Sequence, residues 1–242
     1  MLKVTACPAS EALPAAMGHA DSLQRKHLPG RLLLAAAVLA VLAVAALWVD
    51  LPIAQCLKNN GLPGELRRVV RLAEVFGWGG TAALLILTAA TLDRRAWRVV
   101  PWLAACALGA GLIADGAKLL VARLRPSAAK LGGSAMDTFI TWLPSANRSA
   151  LGQDYGYALQ SFPSAHAATA VGLAIALSVL YPRGRWLFAA FAVLAAVQRI
   201  EAQAHFCSDV LAGAALGCLV TAAVASLSRS GPRKSDAAAT VS

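Results

Sequence analysis

Six apolar runs divide this sequence, and each is long enough, or nearly so, to cross a lipid bilayer as a helix. They are Leu32 to Val49, Val75 to Leu92, Val99 to Val121, Ala167 to Tyr181, Trp186 to Ile200 and Val210 to Leu227. A helical span needs roughly 20 apolar residues at about 1.5 Å rise each. The fourth and fifth runs are short and borrow flanking residues. In hydrocarbon every backbone polar group must be satisfied within the protein, so such runs fold as helices. The expected fold class is therefore all-α, a polytopic membrane helix bundle with about six transmembrane helices. Composition agrees, with 58% hydrophobic and 14% charged residues and a mean hydropathy of +0.62. A soluble domain of this length carries far more polar surface.

The runs define the organisation. Residues 1–31 read as a cytoplasmic tail, 32–228 as one membrane domain with an outer loop at 122–166, and 229–242 as a second cytoplasmic tail. The first run follows Arg25, Lys26 and Arg31, as a signal peptide would, but it is too long and too far from the start for one. The formal net charge is +10, from 22 basic and 12 acidic residues. These charges lie in short clusters between apolar runs, which fits the positive-inside rule better than a nucleic-acid footprint. Arg94, Arg95 and Arg98, then Arg183 and Arg185, then Arg229, Arg233 and Lys234 place those turns inside. Arg67, Arg68 and Arg71 in the first outer loop are the exception, with Glu65 and Glu74 near enough in sequence to pair with them. Gly213 and Gly217 form a GxxxG step that permits close helix packing. None of the five cysteines has CxxC spacing, so a metal knuckle is not expected. Cys106 and Cys218 read as small hydrophobes; Cys56 and Cys207 lie outside the runs, where a disulfide is open to them.

Ionisable groups beside a membrane are functional candidates by default. Three sets occur at run ends. The first is Lys118, then Arg125 and Pro126. The second is Pro163, Ser164, Ala165 and His166. The third is Arg199, His205 and Asp209. The topology carries all three to the same, outer face, an outcome that chance placement does not favour. Alone, each reads blandly: Lys118, Arg125 and Arg199 as snorkelling groups, Ser164 as a helix N-cap, His205 and Asp209 as a local pair. Together they suit phosphate chemistry. Arginine forks and a lysine can surround a phosphate, and Ser164 with the start of the fourth helix adds donors. One histidine can attack phosphorus while the other protonates the leaving oxygen. Asp209 follows His205 by four residues, so on a helix the carboxylate would orient the imidazole. Asp115 reads as a structural partner of Lys118, and Cys207 as packing.

These three sets resemble the motifs of the type 2 phosphatidic acid phosphatase family, which shares its site with vanadium haloperoxidases. Lys118, Arg125 and Pro126 match the first motif. Pro163, Ser164 and His166 match the second, with Ala165 for its glycine. Arg199, His205 and Asp209 match the third, with Gln198 for its serine. The resemblance spans roughly residues 75 to 227. It implies a membrane phosphatase in which His205 is the nucleophile, forming a phosphohistidine, Asp209 holds it and His166 is the general acid. Lys118, Arg125, Ser164 and Arg199 would bind phosphate oxygens. No metal and no cofactor is implied. The implied partners are a phosphorylated lipid and the bilayer, with no nucleic acid; no sequence feature bears on oligomeric state. Ala165 keeps the backbone N–H that its position needs, and Gln198 could donate to phosphate or to Arg199.

The substrate is left among phosphatidic acid, phosphatidylglycerol phosphate, undecaprenyl diphosphate and a lipid A phosphate, with Trp142, Arg148 and Tyr155 as headgroup contacts. Two rival functions remain: a phosphotransferase using the same site, and a transporter or scaffold that binds anionic lipid without turnover. The long apolar runs disfavour a soluble haloperoxidase.

Overall fold

The apolar runs are helices, and small residues decide how they meet. The computed structural model describes residues 12–92, 94–143 and 156–230. Nine α-helices are assigned among them: α1 (Ala12–Ala46), α2 (Asp50–Asn60), α3 (Gly64–Leu72), α4 (Glu74–Gly77), α5 (Gly79–Leu92), α6 (Arg94–Ala117), α7 (Ala165–Leu180), α8 (Arg185–Glu201) and α9 (Cys207–Ser230). The all-α membrane bundle expected from the sequence is thus observed.

The helix α7 lies at the centre, packed against α6, α8 and α9 and, more lightly, α4 and α5. Ala167, Ala168, Ala170, Gly172, Leu173, Ala176 and Leu177 are all buried, covering more than one face. A helix buried all round has no amphipathic stripe and belongs to the core. Its small side chains let neighbouring backbones approach. A Cβ on Gly172 would sit 2.0 Å from the Cys106 carbonyl oxygen on α6. On α9, a Cβ at Gly213 would fall 2.3 Å from the Ser164 oxygen and one at Gly217 2.7 Å from that of Ala168. The GxxxG step is therefore the seam between α9 and α7. Against this frame Phe76, Ile86, Leu103, Cys106 and Leu173 form the main core. Leu34, Val41 and Val44 on α1 stay exposed, as lipid-facing residues do.

Among the described residues, three helices are long and apolar enough to cross a membrane: His27–Ala46 of α1, Val99–Ala117 of α6 and Cys207–Ser228 of α9. A fourth span is available if α3–α4 and α5, bent by 74° at Trp78, count as one. The helices α7 and α8 have 16 and 17 residues, about 24–26 Å at the helical rise, short of a hydrocarbon core of about 30 Å. The expectation of about six spans thus exceeds what length and composition support. The helix α1 begins at Ala12 and runs through Pro29 without a break near residue 31. Residues 1–11 and 231–242 fall outside the described residues.

The outer loop holds a two-stranded antiparallel sheet, β1 (Val121–Arg123) with β2 (Phe139–Trp142). Val121 pairs with Trp142 and Arg123 with Phe139, with a register shift between Ala122 and Arg123. Arg148 and Tyr155 lie outside the described residues. Trp142 is exposed on β2. Cys56 and Cys207 are both free thiols, so the disulfide open to them is not formed.

Gly172→Ala is expected to lower stability by about 1–3 kcal/mol through overpacking against α6. Gly109→Ala, with open space around the new methyl, is expected to leave it unchanged or raise it slightly. Thermal unfolding of the two variants in detergent checks the contrast.

Candidate active site

Each candidate side chain is delivered by the end of an element. Lys118 follows α6, Arg125 follows β1, His166 sits in the first turn of α7 and Arg199 in the last turn of α8. After α8 the backbone N–H groups of both Ala204 and His205 bond to the Arg199 carbonyl, and Gln203 adopts a left-handed conformation (φ 54°). Such a left-handed residue past a helix end is a common way to stop it. The turn carries His205 back over the end of the bundle.

Lys118, Arg125, His166, Arg199 and His205 line one cavity of about 520 Å³. Trp78, Gly79 and Gly80 at the α4–α5 bend, with Leu108, Gly111 and Leu112 of α6, form its apolar wall. Asp115 lines it too, and bonds Lys118 Nζ at 2.7 Å, as its spacing suggested. Arg125 is fixed by backbone carbonyls: its Nε donates to Tyr157 at 2.8 Å, Nη1 to Ala204 and Nη2 to Gln160, both at 3.2 Å. Its guanidinium also stacks 3.5 Å from the centre of the Tyr157 ring.

The two imidazoles are in defined states. His205 Nδ1 lies 2.6 Å from the Ser161 carbonyl oxygen. A carbonyl only accepts, so Nδ1 carries the proton and Nε2 keeps its lone pair. His205 is 2% exposed. Burial, and then the charge of Arg125, hold its pKa well below the ordinary imidazole value. His166 Nε2 lies 3.3 Å from Arg199 Nη1. The guanidinium only donates, so Nε2 of His166 is the acceptor at rest.

Two placements differ from expectation. Asp209 forms no hydrogen bond with His205: α9 begins at Cys207, so His205 precedes the helix and the i,i+4 geometry never forms. The Asp209 carboxylate instead accepts from Ser161 Oγ at 2.6 Å, from the Phe206 N–H at 2.8 Å and from Arg123 Nη1. Its link to His205 runs through Ser161, whose carbonyl holds Nδ1. Ser164 is fully buried as the N-cap of α7, its Oγ accepting from the Ala167 N–H. It is not among the residues lining the cavity.

Two important residues, Arg123 and Asp50, escaped the sequence reading, and a third, Glu74, was given other partners. Arg123, 0% exposed, donates to Asp50 at 2.8 Å, to Ser208 at 2.7 Å, to Thr138 at 3.0 Å and to Asp209. Asp50, from the start of α2, also accepts from the Ser208 N–H at 3.0 Å. Glu74 pairs with Arg199 at 2.6 Å, whereas sequence proximity favoured Arg67, Arg68 or Arg71. Of those, Arg68 does take Glu65 at 2.8 Å, while Arg67 takes Glu201 at 2.7 Å. Gln198 does not donate to Arg199, since a guanidinium cannot accept; its Oε1 receives Arg199 Nε at 2.6 Å. The available signals were an acid at the edge of an apolar run for Glu74, and an acid between two apolar stretches for Asp50.

Fold and site together define a polytopic helix bundle that closes a cationic, imidazole-lined cavity at one end. The chain belongs to the PAP2 superfamily, which matches it over residues 98–230. It is similar to the lipid A 1-phosphatase of Rhizobium johnstonii (strain DSM 114642 / LMG 32736 / 3841), 41% identical over 70 residues, 28% of this chain and 29% of that protein. The lipid A 1-phosphatase of Rhizobium etli (strain ATCC 51251 / DSM 11541 / JCM 21823 / NBRC 15573 / CFN 42) is 42% identical over 60 residues, 25% of this chain and 26% of its own. These matches span less than a third of either relative. Among solved structures the chain is similar to the first transmembrane PAP2 type phosphatidylglycerolphosphate phosphatase from Bacillus subtilis. That likeness covers 86% of this chain and 99% of that one, at 19% identity and a TM-score of 0.53, and concerns the fold.

Arg123→Ala strands two buried carboxylates, and is expected to cost about 3–5 kcal/mol, the range for breaking a buried ion pair. Thermal unfolding in detergent measures it.

Proposed function

We propose that this chain is an integral-membrane lipid phosphate phosphatase that works through a phosphohistidine at His205, without a metal. The observation that carries the reading is the single cavity in which Lys118, Arg125 and Arg199 surround two imidazoles. In the reaction, the phosphate of a lipid sits among the three cations, with its apolar part along the Trp78–Leu112 wall. The lone pair of His205 Nε2 attacks phosphorus, and the bond from phosphorus to the lipid oxygen breaks. That oxygen takes a proton from His166. A dianionic phosphate draws Arg199 Nη1 to itself, frees His166 Nε2 and favours the imidazolium that can donate. Water then attacks the phosphohistidine and gives a proton to His166. The P–N bond breaks, inorganic phosphate leaves and His205 is neutral again. Asp209 acts on His205 at one remove, by fixing Ser161.

The cavity supports roles for Lys118, Arg125 and Arg199 as phosphate ligands; Ser164 contributes by setting the start of α7 rather than through its hydroxyl. The positive-inside pattern supports a cytoplasmic-membrane protein of about six spans, with α7 and α8 completed by flanking residues and the site facing outward. That reading keeps 1–31 and 229–242 as cytoplasmic tails around one membrane domain. The names of the curated relatives make a lipid A-type sugar phosphate the first substrate to try, ahead of phosphatidic acid, phosphatidylglycerol phosphate and undecaprenyl diphosphate.

The deciding assay is phosphate release by the purified chain in detergent with chelator present. His205→Ala is expected to abolish release while leaving the protein folded; release retained by that variant refutes the assignment. A labelled donor lipid separates hydrolysis from transfer, since free phosphate marks the former. Because the neutral imidazole attacks and its pKa is depressed, activity should persist as pH falls through the ordinary imidazole range. The acid limb of kcat/KM, corrected for the substrate phosphate ionising near about pH 6, should lie below the usual value of about 6.5. A limb at or above that value counts against His205 as nucleophile.

A further inference from the structure

Arg199 is held on one edge by a closed ring of three side chains. Its Nε donates to Gln198 Oε1 at 2.6 Å and its Nη2 to Glu74 Oε1 at 2.6 Å, while Gln198 Nε2 donates to Glu74 Oε2 at 3.0 Å. Every donor and acceptor in this ring is forced. A guanidinium only donates and a carboxylate only accepts, so the amide must turn its oxygen to Arg199 and its nitrogen to Glu74. The ring fixes the guanidinium and leaves Nη1, the nitrogen beside His166, facing the cavity. Glu74 does not line the site cavity itself but stands behind Arg199, which does. On its far side it lines a second cavity of about 470 Å³ with Lys58, Arg67, Arg71 and Glu201. It comes from the α4 segment, outside the 98–230 region that the superfamily matches.

We infer that Glu74 is a positioning residue that, with Gln198, orients Arg199 and offsets part of its charge. The inference rests on reading this cavity as a phosphatase site. The ring takes Nε–H and one N–H of Nη2, the side edge of the fork. Arg199 therefore presents its remaining Nη1 and Nη2 N–H groups in a fixed direction. An oriented but partly neutralised donor favours the reacting phosphoryl group over the free product, which raises turnover rather than mere binding.

The test separates charge from orientation. The full chain in detergent is titrated calorimetrically with inorganic phosphate, a measurement that needs no turnover, and kcat is measured on phosphatidic acid in mixed micelles. Glu74→Ala and Glu74→Gln are expected to bind phosphate more tightly by about fivefold, the scale of a half-exposed ion pair. The same variants should lose about tenfold in kcat as the fork loosens. Gln198→Ala opens the ring without changing charge, so kcat should fall while phosphate affinity holds. Loss of packing alone would weaken both quantities in all three variants. Phosphate affinity that is unchanged or weaker in Glu74→Ala overturns the inference. So does tightening by Gln198→Ala equal to that of Glu74→Ala. Phosphate release surviving in His205→Ala would instead refute the phosphatase reading and leave the affinity result standing.

Discussion

The end of the bundle is organised around one buried cation. Arg123 has no exposed surface, and its guanidinium lies between the carboxylates of Asp50 and Asp209. Removing three charges from water is expensive, and their attraction offsets that only if the remaining hydrogen bonds are also made. Here they are: Thr138 and Ser208 take further donors, and Phe139 and Phe206 cover the guanidinium at 4.4 and 4.5 Å. Two carboxylates against one guanidinium leave an excess negative charge at the start of α9. The positive end of the helix macrodipole compensates for it, and the N–H groups of Phe206 and Ser208 point at the two acids. The cluster ties α2, β1 and α9 together and fixes Asp209. Asp209 holds Ser161, and Ser161 holds the Nδ1 of His205. The tautomer of the proposed nucleophile thus depends on a cation that never meets substrate.

Small residues do the corresponding work in the apolar part. Helices in lipid gain little from excluding water, so they associate through close packing. The backbone of α7 is approached by α6 at Gly172 and by α9 at Gly213 and Gly217. The same closeness shapes the site: a Cβ on Gly77 would stand 2.9 Å from the His166 carbonyl oxygen, and one on Gly111 2.3 Å from Thr169 Oγ1. The close backbone contact of Gly77 with His166 limits where His166 can sit relative to Arg199.

Residues that face the cavity were legible in the sequence because a charge at a membrane edge is anomalous by itself. Lys118, Arg125, His166, Arg199 and His205 needed only the apolar runs and their order to be gathered on one side. Residues that hold these groups were not legible. Arg123 resembles any basic residue after a span, and its partners are 73 and 86 positions away. Glu74 lies within seven residues of three arginines yet pairs with one 125 positions on. Local spacing also misled at Asp209, because the rule for helix neighbours applies only if both residues are helical, and α8 ends in a turn that keeps His205 off α9. The apolar runs set the class of fold, but α7 shows why they do not by themselves count spans: a short helix buried on all sides by protein is as apolar as one facing lipid.

The partners of the three cavity cations differ in a way that bears on how the site holds an anion. Lys118 and Arg199 each have a carboxylate, Asp115 and Glu74. The hydrogen bonds recorded for Arg125 go to neutral backbone carbonyls. Counting these five side chains gives a net charge of +1 rather than +3. Carbonyl dipoles orient Arg125 without cancelling its charge, so it is the principal source of positive potential in the cavity, and together with burial, the larger cause, it depresses the basicity of His205. The two carboxylate-held cations are oriented but muted. A phosphate entering such a site meets one strong anchor and two aligned donors. On the proposed reading, an uncompensated cluster of three cations would bind product too firmly, and at rest would repel itself apart, so the acids around the cavity would keep it both assembled and able to empty.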